Sequence, residues 1–117
     1  MEPKDTGTSA DAQLIANSLA DYGQGNPIKS GKYAAKRIFS GEKAQITEIA
    51  FDAGVELADH MARTPILVNV IEGEVDFRVG GDTHRLSTGG SVFVEANVMH
   101  AVLARQRARI TVTFLSS

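Results

Sequence analysis

The chain has 117 residues, with 12 Lys and Arg against 14 Asp and Glu, a formal net charge of −2 and a pI near 5.9. That is one domain's worth of material, enough to bury a single core without staples, and it lacks the basic footprint of a nucleic-acid binder. With 0 Cys, disulfides, thiolate metal sites and cysteine nucleophiles are excluded, and no stretch approaches the ~18 continuous apolar residues of a membrane span.

Residues 1–9 are polar, contain Pro3 and Gly7, and read as a loose arm. They hold no apolar run of the signal-peptide kind, so the expectation is a soluble cytoplasmic protein that does not engage membranes. From Asp11 to Tyr22, the residues Leu14, Ile15, Leu19 and Tyr22 recur at helical spacing. Ser9 can cap the start and Gly23 can end it, which predicts one short amphipathic helix covering a sheet edge or a barrel end. Gly23 to Gly31 is a loop. The arm and helix together take 1–23, and a barrel domain takes 24–117.

Beyond the loop the apolar period becomes two. Lys32 to Phe39 is a strand and Ser40-Gly41-Glu42 a turn. Ala44 to Phe51 alternates, with Ile46 on one face and Gln45, Thr47, Ile49 and Phe51 on the other. Asp52-Ala53-Gly54 turns. Pro65 opens Ile66 to Ile71, whose nearly continuous apolar run predicts burial on both faces. Val75, Phe77 and Val79 alternate with Asp76 and Arg78. Gly80-Gly81-Asp82 is a hairpin turn, Thr83 to Leu86 returns, and Ser87 to Gly90 turns again. Val92 to Val94 and Ala101 to Leu103 are strands, and Arg105 to Ala108 is a polar turn. Ile110, Val112 and Phe114 form the apolar face of the last strand. One helix followed by eight or nine short, evenly spaced strands predicts an all-β antiparallel sandwich or barrel.

These turns and strands, with two histidines among them, resemble a small single-domain cupin of the RmlC-like jelly-roll type, over roughly 39–115. The family's first motif orders Gly, His, His, Glu and Gly. Here its positions hold Gly54, His60, Ala62, Ile66 and Gly73. The second motif ends in a histidine after a glycine turn and a short strand. Here Gly89-Gly90 and Val92 to Val94 lead to His100, with Glu95, Asn97 and Ala104 where the family has Pro, Gly and Asn. The resemblance implies a double-stranded β-helix barrel with His60 and His100 at its mouth. It also implies a homodimer sharing edge strands or faces, with the Lys32 to Phe39 segment or the preceding helix as participant.

The complete family site sets three histidines and a glutamate around a divalent metal, and only His60 and His100 remain of these. Two imidazoles can anchor a labile Zn, Fe, Mn or Ni ion, but a mononuclear site normally needs further ligands. Asp59, Glu48 and Glu95 are the available carboxylates. Asp59, next to His60 in an extended segment, points to the opposite face, whereas Glu95 lies in the turn leading to His100. Binding of a divalent metal is therefore expected to be weak or absent.

A histidine pair without metal can hold an anionic or polar ligand or move a proton. Ile66, Val68 and Val70 share one face. If that face is interior, the cavity is apolar and suits a small, mostly hydrophobic ligand, or its side chains simply fill the barrel. Arg63 lies at the mouth and completes the expected pocket of His60, His100, Arg63, Ile66, Val68 and Val70. Tyr33, Met61 and Met99 can line the cavity or pack plainly. His84 reads as a solvated hairpin residue. Arg105, Arg107 and Arg109 alternate; in a regular strand they would share one face and could bind an anion, but they read as a polar turn and a solvated face. No Gly-x-Ser-x-Gly elbow or phosphate-cradling loop is present.

Three functions stay open at this point. The first is a small-molecule-binding protein with histidine anchors. The second is a metal-dependent dioxygenase or isomerase using His60, His100 and a carboxylate from outside the motif. The third is a sensory module reporting ligand to a partner, weakened by the lack of a fused DNA-binding domain.

Overall fold

The computed structural model describes residues 11–116. Among them a short helix α1 (Leu19–Gly25) precedes nine strands: β1 (Tyr33–Ser40), β2 (Ala44–Phe51), β3 (Glu56–His60), β4 (Ile66–Glu72), β5 (Glu74–Val79), β6 (Asp82–Ser87), β7 (Ser91–Val94), β8 (His100–Ala104) and β9 (Ala108–Leu115). They form two antiparallel sheets, ordered β1-β2-β9-β4-β7 and β3-β8-β5-β6. The chain crosses repeatedly between the sheets, which is the winding of a jelly-roll barrel and the all-β architecture the turn spacing predicts.

The period-two pattern explains the layering. Ile110 and Val112 on β9, Ile66, Val68 and Val70 on β4, and Val75 and Phe77 on β5 are buried and pack into one core with Ile49, Phe51, Val94 and Val102. Each large apolar side chain fully buried this way contributes roughly 1.5–3 kcal/mol. Register aligns inner residues into rows. Arg37, Thr47, Val112, Val68 and Val92 lie side by side across the larger sheet.

Three expectations need correction. The helix is shorter and later than the spacing predicts: it spans Leu19–Gly25, with Ser18 at the N-cap position and Gly23 inside it rather than at its end. The Ser9 cap lies outside the described residues. Leu14, Ile15 and Leu19 are exposed, so their spacing does not mark a buried face. The segment is held instead by Arg109, whose Nη1 donates to the backbone carbonyls of Tyr22 at 3.3 Å and Asn26 at 2.7 Å.

Strand β4 is not buried on both faces. Ile66, Val68 and Val70 face inward, whereas Leu67 is exposed on the outer surface. Finally, Arg109 does not sit on a solvated face. It is buried and donates from Nη1 to Glu48 Oε2 at 3.1 Å and from Nε to Glu72 Oε1 at 3.1 Å. Arg105 and Arg107 do lie on the turn before β9 and are exposed, paired with Asp76 and Asp52 respectively.

Candidate functional site

The two histidines are brought together by strand pairing. His60 ends β3, His100 begins β8, and the two strands pair antiparallel with His60 opposite His100. The turns around them are tied to one another: the Asn97 N–H donates to the Ala62 carbonyl at 2.7 Å. Asn97 adopts a φ of 64°, in the left-handed region that Asn tolerates better than most residues. That accounts for its standing where the family motif has glycine.

The imidazole centroids are 4.2 Å apart at an interplanar angle of 62°, and the His100 ring stacks on Phe77 at 5.6 Å. His60 is exposed at the rim, whereas His100 is buried. Each ring makes the same local bond, His60 Nδ1 with the Ala58 carbonyl at 3.0 Å and His100 Nδ1 with the Val98 carbonyl at 3.0 Å. A carbonyl oxygen only accepts, so each Nδ1 carries a proton, and in the neutral ring Nε2 keeps its lone pair. The site therefore offers two acceptor nitrogens close together, able to take hydrogen bonds, a proton or a metal ion.

Burial pushes the His100 imidazole below its ordinary pKa of 6.5; the nearby His60 lowers it further, and the Val98 carbonyl opposes both. His100 is neutral at pH 7. Below pH 6.5 the unfolded chain takes up a proton here that the folded chain refuses, so stability falls as pH drops from the unfolded to the lowered folded value. Above that window the full stability is present. Urea unfolding between pH 7.5 and pH 5 should show this loss, and His100→Gln should flatten it. Identical slopes in the two proteins would rule out His100 as the source.

The histidines line a cavity of about 370 Å³ between the two sheets, within the ~300–1,000 Å³ usual for small-molecule sites. Its walls are the inner-face side chains of the barrel, including Ile66, Val68, Phe77, Ile110 and Phe114. Ala62 and Ile66, which stand at the second-histidine and glutamate positions of the motif, both line it. The wall is thus apolar where the complete family site has ligands.

Of the expected pocket residues, His60, His100, Arg63, Ile66 and Val68 line this cavity. Val70 does not: it is buried in the packed core further along β4. Met61 lines the cavity, whereas Tyr33 is exposed on β1. Met99 lies with Asp59 and Arg78 around a separate depression. His84 is exposed on the edge strand β6. Arg37, Gln45 and Thr47 also line the cavity, and no motif in the sequence marks them. The alternation that puts Gln45 and Thr47 on the face of Ile49 was the available signal, since polar residues at one end of an inward face mark a mouth.

The carboxylates considered as third metal ligands are elsewhere. Glu48 is fully buried on the other face of β2, bonded to Arg109 and to the Asn26 amide. Asp59 borders the separate depression, and Glu95 is exposed in the turn after β7. Among the described residues no group of three or more His, Cys, Asp or Glu side chains is placed to hold a metal ion. Two imidazoles fall short of the three or four protein ligands of a tight mononuclear site, so the donor set does not fit one.

Residues 49–114 match the family model of the cupin domain. The chain belongs to the cupin family. The resemblance read from its two histidine segments therefore holds. Solved structures agree on the fold. A conserved protein of unknown function from Streptococcus pyogenes is 17% identical, covers 89% of this chain and 91% of its own, and superimposes with a TM-score of 0.75. An RmlC-like cupin from Shewanella frigidimarina is 26% identical over 75% of this chain and 79% of its own, with a TM-score of 0.69. A cupin superfamily protein from Desulfitobacterium hafniense is 14% identical over 98% and 94%, with a TM-score of 0.70. A comparison with curated proteins found no match. Among the described residues of this cupin, no helix is long and apolar enough to cross a membrane.

Proposed function

We propose that this cupin is a cytoplasmic small-molecule-binding protein. Its barrel holds a small, mostly apolar organic ligand, and the Nε2 atoms of His60 and His100 anchor it by accepting hydrogen bonds from a donor group it carries. The observation that carries the reading is the apolar cavity of about 370 Å³ with the bonded histidine pair at its mouth. The rival reading, a metal-dependent dioxygenase or isomerase, needs a third ligand that no described carboxylate is placed to supply.

The test pairs a melting-temperature screen of small organic molecules at millimolar concentration with elemental analysis of untagged protein grown with Fe, Mn, Ni and Zn. A ligand at 100 times its Kd stabilises the fold by about 2.7 kcal/mol, readily seen as a shift. We expect such shifts without turnover, diminished in the His60→Ala, His100→Ala double variant. A screen that moves nothing counts against the proposal. Near-stoichiometric metal that disappears in the double variant would replace it with the enzyme reading.

The protein is further proposed to pair as a homodimer. Support comes from the outer face of the larger sheet, where register sets Phe39, Ile46, Thr113, Leu67 and Phe93 in one row. Phe93 is 50% exposed and Leu67 36%, which sets two large apolar side chains side by side on this surface. This row, rather than the β1 edge or the helix alone, is the surface offered. Sedimentation should give twice the 12.5 kDa chain mass, and Phe93→Asp should return a monomer. A wild-type monomer at high micromolar concentration would end the dimer proposal.

A further inference from the structure

The charge distribution around the cavity is lopsided. The chain has seven arginines, and five of them pair with carboxylates: Arg78 with Glu56, Arg85 and Arg105 with Asp76, Arg107 with Asp52, and Arg109 with Glu48 and Glu72. The two left without a carboxylate partner among the described residues are Arg37 and Arg63. Both line the cavity, and no Asp or Glu does.

Arg37 is held in place by neutral groups alone. Its Nε donates to Thr47 Oγ1 at 3.1 Å and its Nη1 to Gln45 Oε1 at 2.6 Å. Both partners are inward-facing residues of β2, and β1 pairing sets Arg37 opposite Thr47. These bonds orient the guanidinium at the cavity without neutralising it. Arg63 stands on the β3–β4 connection. Beside it, the Thr64 hydroxyl is buried, lines the cavity and has no hydrogen-bond partner among the described residues. A buried hydroxyl left unpaired is unfavourable, and an acceptor entering the cavity would relieve it.

We infer that the ligand of this cavity is an organic anion, a monocarboxylate with an apolar body, whose carboxylate is met by Arg37, Arg63 and the Thr64 hydroxyl, while the two acceptor Nε2 atoms take a separate donor group of the ligand. The apolar body fits the wall of Ile66, Val68, Ile110 and Phe114. Two guanidiniums, an unpaired hydroxyl and no acidic side chain favour a negative head group over a neutral or positive one. Guanidinium donates to carboxylate in a fixed fork, and such charge-assisted bonds are roughly twice as strong as neutral ones. The inference rests on the small-molecule-binding reading and narrows it to a ligand class.

The experiment titrates the full chain at pH 7.5 with hexanoate, hexanamide and hexylamine, probes of similar shape that differ in charge. Binding is read from backbone amide resonances of β2, β4 and β9. Hexanoate should bind at least about tenfold more tightly than either hexanamide or hexylamine, because only a carboxylate forms charge-assisted bonds to both guanidiniums. The Arg37→Gln, Arg63→Gln variant should lose that preference while still binding hexanamide. Arg37→Lys, Arg63→Lys keeps the charges and should keep a reduced preference. Both arginines are exposed, and an unchanged amide spectrum will show that the variants remain folded. Equal affinity for hexanoate and hexanamide, or a preference untouched in the Gln variant, overturns the anion assignment and leaves the small-molecule reading standing. Failure of all three probes to perturb the cavity at millimolar concentration removes both.

Discussion

Arg109→Met should destabilise the fold by about 3–5 kcal/mol, the range for stripping one partner from a buried ion pair. Glu48 has its side chain 1% exposed and Arg109 6% exposed, with 3.1 Å between them. Without Arg109, Glu48 keeps only the Asn26 amide, which donates to its Oε1 at 2.9 Å. The Asn26 carbonyl loses its 2.7 Å donor as well, so the helix-bearing segment loosens from the sheet. Glu72 suffers less, because its side chain is 44% exposed and water can replace the guanidinium.

Glu48→Met should cost a similar amount by leaving the guanidinium unpaired toward β2. The double variant should cost clearly less than the sum of the singles, because no uncompensated charge remains. A domain of this size has a total stability of only ~5–15 kcal/mol, so each single variant should melt at least about 10 °C lower. Additive effects below about 1 kcal/mol would show that the pair is not buried as described.

Gly73→Ala should be the most damaging glycine substitution in the barrel. Gly73 joins β4 to β5 with a φ of 86°, and an added Cβ would meet the Arg107 carbonyl oxygen at 2.2 Å and the Ala108 Cα at 2.8 Å. Both obstacles are backbone, so neither can swing aside. Gly89, with a φ of 93° and nothing within 4 Å of its Cβ position, isolates the conformational part. That part costs about 1–3 kcal/mol for a residue with a side chain. Overpacking against fixed structure adds typically another 1–3 kcal/mol. Denaturant unfolding should therefore place Gly73→Ala below Gly89→Ala by about that second amount. Equal losses would mean that the β4–β5 turn can move away from the turn before β9.

What the sequence disclosed follows from the range over which each interaction acts. Strands β2 and β9 are legible because Ile49 and Phe51, and Ile110, Val112 and Phe114, recur at every second position, and that period is a local property. The sequence of β4 implies burial on both faces because Leu67 is as apolar as Val68, and composition cannot tell a buried face from an outer one that carries leucine. The helix was misplaced for a similar reason. Leu14 and Ile15 have helical spacing but no core beneath them, and a helix of 7 residues is too short to be set by propensity alone.

At the site, the two histidines were found through motif shape, whereas Arg37 was not, because its role depends on β1 lying beside Thr47 and on the absence of any acid nearby. The Glu48–Arg109 pair joins residues 61 positions apart. Nothing in either segment alone distinguishes that glutamate from a candidate metal ligand.

Ligand binding in the barrel cavity turns on the Nε2 atoms of His60 and His100. Long-range proton–nitrogen spectra of the two imidazoles at pH 7.5, with and without a ligand from the melting screen, test it most directly. Nδ1 should be protonated in both rings throughout, and Nε2 of both should shift as the ligand saturates. Nε2-protonated rings, or a bound ligand that leaves both Nε2 resonances unmoved, would contradict it.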